Sequence, residues 1–211
     1  MNLPKRKRSV IAFTDALCRL VCDVPMKKIT VTSICVEAGY TSMAFYSSFE
    51  NKYDFVNSIV DYEAQVFAGC VYNRLEQTGR PDRSGKNRTD LHRLYVTDYF
   101  EHVAGNRTLY HCILNDLIVP DGIELLSGRI AHHMRAFLTL QADGHPETPG
   151  FTAFILEITE AQMLMVVRYW LNKMPDMEPR AAAEFYCEQF LFRKMVPIER
   201  DPESGGFHAS L

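Results

Sequence analysis

Between Ile29 and Phe55 the chain reads ITVTSICVEAGYTSMAFYSSFENKYDF, and its short polar and flexible side chains are of the types that meet nucleic acid. Ser42 can donate to or accept from a base edge, and Met43 can lie against a thymine methyl. Tyr46 has the reach to hydrogen-bond a phosphate. Lys52 offers its charge together with the positive end of the helix it opens. Thr30 presents a hydroxyl beside the amides of another helix N-terminus. Most contacts of this kind position a protein on a duplex, and only a few read its sequence.

Such residues need a scaffold, and the same stretch supplies one. Thr30 is the N-cap of a helix over Val31–Ala38 that Gly39 ends. Thr41 caps a further helix running to about Ser47. On it Phe45 and Phe49 stand at i, i+4 and can pack inward on Ile34 and Ala38, while Ser42, Met43 and Tyr46 are left for other faces. A preceding helix carries Val10, Phe13, Leu17, Leu20, Val21 and Val24 before Pro25 breaks it. Two helices joined by a glycine turn, behind a third, make a helix-turn-helix whose second helix enters the major groove.

The charge distribution agrees. The 211 residues carry a net charge of −3, yet residues 1–60 hold eight Lys/Arg against five acids, and the remainder holds 15 against 21. A positive end on an acidic protein suits a polyanion at that end. The Lys5–Arg8 run is either a solvated tail or an arm that tracks DNA. With 47% hydrophobic and 23% charged residues, one or two soluble domains with a sizeable core are expected. No run approaches the roughly 18 apolar residues of a membrane span, and no signal-like segment follows the basic N-terminus, so the cytoplasm is the expected location. The six cysteines form no CxxC pair and read as small buried hydrophobes.

Helical periodicity continues from about Asn51 through segments at Thr89–Val103, Thr108–Val119, Gly122–Leu140, Phe151–Lys173 and Pro179–Met195, with no convincing strand. Loops are expected at Gln77–Asn87 and Ala142–Gly150, and a frayed tail from Pro197. The fold class is all-α, with about nine helices.

These features resemble the DNA-binding domain of the TetR/AcrR family of bacterial transcriptional regulators. The resemblance rests on Ile29-Thr30, the Ala38-Gly39 turn, Phe45-Tyr46, Phe49 and the NKYDF opening of the next helix (Asn51–Phe55), and it covers roughly residues 8–60. YWLNKMPDMEP (Tyr169–Pro179) looks like the family's penultimate helix and turn. The resemblance implies phosphate contacts from Tyr46 and Lys52, a capping role for Thr30, and Thr41, Ser42, Met43 and Ala44 facing bases or the adjacent backbone. Two positions depart from it. Tyr40 stands where members often have Val or Ile, as a DNA contact or a bulkier turn residue, and Cys35 stands where alanine is usual.

The resemblance further implies a helix-turn-helix domain over residues 1–55 and a helical regulatory domain over 56–211. The latter would bind a small-molecule effector and form a homodimer through its last two helices. Phe154, Ile155, Ile158, Ala161, Met165 and Trp170 give the penultimate helix more apolar surface than one buried stripe requires. A twofold dimer would set two recognition helices about 34–36 Å apart on a pseudo-palindromic double-stranded operator. Candidate pocket residues are Tyr95, Tyr99, His102, His111, His133, Phe137, Met165 and Trp170, although ordinary core packing explains each equally well. No cofactor, metal site or catalytic residue is expected. His132 and His133, adjacent on a helix, point about 100° apart. A repressor released by its effector is the leading expectation, with an activator or a ligand-independent regulator beside it. An all-α enzyme using the middle histidines, and a protein that binds DNA without regulating a promoter, are the competitors.

Overall fold

The computed structural model describes residues 6–78, 88–141, 149–191, 198–200 and 207–209, with side-chain environments over 6–78, 90–134 and 157–190. Nine α-helices run through the described residues. The first three are α1 (Arg8–Asp23), α2 (Val31–Ala38) and α3 (Ser42–Tyr46). They are followed by α4 (Lys52–Thr78), α5 (Arg88–Gly105), α6 (Arg107–Leu114), α7 (Gly122–Gln141), α8 (Pro149–Lys173) and α9 (Pro179–Tyr186).

α1 turns Phe13, Leu17, Cys18 and Val21 inward, one face at helical spacing, and packs on α2 and α6. Pro25 follows the end of α1, and a 3-10 turn at Met26–Lys28 leads to α2. α4 continues unbroken from the helix-turn-helix into the helical body, and α7 packs along it. α8 lies on α7, and α9 on α5. One continuous core joins Phe13 and Phe45 at one end to Trp170 and Tyr186 at the other.

Four expectations need correction. The helix expected over Thr108–Val119 ends at Leu114. There Asp116 adopts a left-handed φ of 59°, and its carboxylate accepts the Gly122 amide at 2.8 Å. A Cβ on Gly122 would stand 1.9 Å from the Ile113 carbonyl oxygen, so only glycine lets the loop close against α6. The last helix gives way after Tyr186 to a π-helical turn at Cys187–Leu191. The tail holds two paired strands, β1 (Ile198–Arg200) and β2 (Phe207–Ala209), antiparallel with Glu199 opposite His208. Finally, Cys22 is exposed, whereas Cys18, Cys35, Cys112 and Cys187 are buried as expected. No helix among the described residues is long and apolar enough to cross a membrane.

Candidate nucleic-acid interface

Local hydrogen bonds set the two helices of the turn. Thr30 Oγ1 accepts the Ser33 amide and Ser33 Oγ accepts the Thr30 amide, both at 3.0 Å, which closes a reciprocal capping box. Gly39 ends α2 with φ 73°, and the Tyr40 amide reaches back to the Cys35 carbonyl at 2.9 Å. Thr41 Oγ1 then accepts the Ala44 amide at 3.3 Å and starts α3. Both threonines therefore use their hydroxyls as caps, and both remain exposed.

Aromatic packing holds α3 in place. Phe45 is fully buried, with its ring 5.3 Å from Phe13, 5.3 Å from Phe49 and 5.4 Å from Phe55. Aromatic pairs at such distances each add about 0.5–1.5 kcal/mol beyond the area they bury. With Phe45 pointing in, Met43 (82% exposed) and Tyr46 (57% exposed) point out. Tyr40 is exposed as well, its ring edge-on to Phe13 at 5.3 Å. Ala44 is half-buried. Ser42 is half-buried too and is a hydrogen-bond partner of the Cys35 thiol, partly offsetting the burial that pushes that thiol up.

Lys52 has internal partners. Its Nζ donates to the carbonyls of Met26 (2.8 Å), Lys27 (3.3 Å) and Ile29 (2.6 Å). An ammonium has three donors, so this arrangement occupies all of them. It ties the start of α4 to the 3-10 turn and the entry to α2. Asn51 caps α4 alongside, accepting the Tyr53 and Asp54 amides at 2.9 and 3.0 Å. Residues not singled out from the sequence share the exposed surface: Lys27, Lys28, Val36 and Tyr53. The adjacent lysines were a readable signal. The exposure of Val36 and Tyr53 follows only from the tertiary packing.

Arg6, in the basic N-terminal run, is drawn away from solvent. Its guanidinium lies 2.8 Å from Glu63 Oε1 on α4 and 4.0 Å from the centroid of the Tyr62 ring. Glu63 is fully buried, and its other oxygen accepts from Tyr110 at 2.9 Å and meets His102 Nε2 at 2.7 Å. One carboxylate thus ties the N-terminal segment to α4, α5 and α6. A cleft of about 510 Å³ opens at this junction, lined by Arg6, Tyr62, His102, Asn106 and Arg107 among others.

The candidate pocket residues do not converge on one cavity. Tyr95 and Tyr99 both pack edge-on to Phe67, at 5.9 and 4.9 Å, and Tyr99 is fully buried. Trp170 stacks on Phe100 at 5.4 Å and donates its Nε1 proton to the Met177 carbonyl at 2.9 Å. His102 stands at the Glu63 junction. His111 is exposed and pairs with Asn172 at 2.9 Å, and His133 meets Asp61 at 3.0 Å on the far side of α4. Met165 is half exposed on the outer face of α8. Phe137 lies on α7, and its side chain is outside the described residues.

A capped, aromatic-backed turn with an exposed α3, joined by a continuous α4 to a helical body, defines an all-α helix-turn-helix protein. No family model matches the chain, and no curated protein matches it. Among solved structures it is similar to the fatty acid degradation regulator FadR from Bacillus halodurans, with a TM-score of 0.60, 16% identity and coverage of 87% of this chain and 95% of that one. FadR of Thermus thermophilus, a TetR family transcriptional repressor in complex with lauroyl-CoA, aligns with a TM-score of 0.49, 18% identity and coverage of 93% and 100%. The TetR family repressor AlkX from Dietzia, implicated in biodegradation of n-alkanes, gives 0.47, 13%, 87% and 96%. The chain shares the fold of the Bacillus halodurans regulator.

Proposed function

We propose that the protein is a homodimeric, DNA-binding transcriptional regulator, a repressor that a small-molecule effector releases from a pseudo-palindromic operator. The observation that carries this reading is α3. Its Phe45 is locked inward by three rings, so Met43 and Tyr46 stand out to solvent on a rigid element. Met43 and Ala44 meet base edges, with Ser42 behind them. Tyr46, Tyr40 and the capped starts at Thr30 and Thr41 take phosphates. Lys52 adds its charge and holds the start of α2 through the carbonyls it binds.

Residues 1–55 serve as the DNA-binding domain and 56–211 as the regulatory domain, with α4 crossing between them. An effector acting within the body shifts α5 and α6, and the Glu63 junction passes that shift to α4 and to the segment that leads into α1. The dimer forms through the outer faces of α8 and α9. Ile158, Met165 and Tyr169 lie on one stripe of α8, and Phe185 and Phe190 are exposed at α9 and the turn after it. Exposed apolar residues grouped in this way favour an interface. His102, His111 and His133 stand on three different helices, each held by its own partner (Glu63, Asn172 and Asp61), which favours a regulator over an enzyme. Tyr46→Ala is expected to weaken binding to every DNA sequence, whereas Met43→Ala changes preference at one or two base pairs. Equal, uniform losses from both variants would count against this division of labour.

A further inference from the structure

The inward face of α8 carries Glu160, Met163, Leu164, Val167 and Trp170, all buried, and Glu160 is the charged member of that set. Its Oε2 has no hydrogen-bond partner, and the buried hydroxyl of Tyr99 on α5, which faces that of Tyr110, makes no close hydrogen bond; among the described residues these are the two such buried side-chain atoms. The surroundings are aromatic. Tyr99 and Tyr186 both stand within electrostatic range of Glu160, and Phe100 stacks between Trp170 at 5.4 Å and Tyr186 at 6.3 Å.

Glu63 provides the contrast within the same chain. It is buried as well, yet Arg6, His102 and Tyr110 satisfy both of its oxygens. A carboxyl group buried without partners is costly to keep, and unsatisfied buried groups of this kind recur at functional sites. What a carboxylate and a phenol among aromatic rings recognise together is an organic cation. The ammonium pairs with the carboxylate and donates to the hydroxyl, and ring faces stabilise the charge.

We propose that Glu160 and Tyr99 form the polar anchor for an effector that carries a protonated amine on a largely apolar body. This rests on the reading of residues 56–211 as an effector domain. Burial holds the Glu160 carboxyl at a pKa of about 8 while the site is empty. It therefore releases its proton to solvent when the cation arrives, and the ion pair replaces the neutral acid. The titratable groups near it are Tyr99 on α5 and Tyr186 on α9, both uncharged at neutral pH because burial raises their hydroxyls, with the Glu63 carboxylate on the other side of Tyr99 raising it further.

The test is isothermal titration of the full chain with two matched series. One is decylammonium, decanol and decanoate; the other is phenethylammonium, phenethyl alcohol and phenylacetate. In at least one series the ammonium is expected to bind tenfold or more tightly than its alcohol and its carboxylate. Glu160→Gln is expected to lose that preference, and Tyr99→Phe to lose a smaller part of it. The absence of ammonium preference in both series overturns the proposal, as does a folded Glu160→Gln that keeps it. If Glu160→Gln fails to fold, the head-group preference of the unaltered protein decides alone. DNA binding is measured separately on the same preparation. Ammonium preference in a protein that binds no DNA counts against the regulator reading only, and DNA binding without ammonium preference counts against this inference only.

Discussion

Replacing Glu160 with glutamine removes a group whose burial makes stability depend on pH. Desolvation raises its pKa from an ordinary 4.5 to about 8. Below pH 4.5 the carboxyl is protonated in the folded and unfolded chain alike, and it costs nothing by titration. Between 4.5 and about 8 the unfolded chain releases the proton and the folded chain keeps it, so stability falls as pH rises. At about 1.4 kcal/mol for each pH unit the loss reaches about 5 kcal/mol by pH 8 and then levels off. Glutamine does not titrate, and every other group contributes equally to both proteins. The difference in stability between Glu160→Gln and the unaltered chain should therefore grow from pH 5 to pH 8 in favour of the variant. For a chain of this length it corresponds to about 10–20 °C in Tm. Thermal unfolding followed by circular dichroism at pH 5, 6, 7 and 8 measures it directly. Any fixed effect of the new amide shifts all four points together, so the slope carries the test. Parallel stability curves for the two proteins would refute the reasoning.

Other perturbations separate the elements of the account. Phe45→Ala leaves a cavity among Phe13, Phe49 and Phe55 and should cost about 3–5 kcal/mol in chemical denaturation, with DNA binding lost alongside. Lys52→Met leaves three carbonyls at the entry to α2 without their donor and should cost about 1–3 kcal/mol. If Lys52 acted on phosphate alone, denaturation would show no loss of stability, only weaker DNA binding. Tyr169→Glu places a charge in the exposed stripe of α8 and should convert dimer to monomer in analytical ultracentrifugation while helix content is kept.

The parts of the fold that could be read from the sequence are those set by neighbours along the chain. Thr30, Gly39 and Thr41 act within three or four residues, so the bounds of α2 and the start of α3 follow from residue type. The inward placement of Phe45 follows from its spacing to Phe49. Lys52 is different, because its carbonyl partners lie on a turn some 25 residues upstream and no local pattern announces them. Glu63 is a similar case. On α4 it reads as one polar residue of a long helix, and only the meeting of Arg6, His102 and Tyr110 reveals a buried hub. The early end of α6 depends on Gly122 closing against Ile113, a contact the apolar periodicity through Val119 concealed. His102, His111 and His133 fall on separate faces because three different helices carry them.

Whether an exposed α3 reads DNA from a twofold dimer is decided by selecting bound duplexes from a random pool. A pseudo-palindrome whose half-sites are about one helical turn apart, or a multiple of it, is expected to be enriched. Enrichment of a single asymmetric site, or no enrichment by a folded dimer, would contradict that reading.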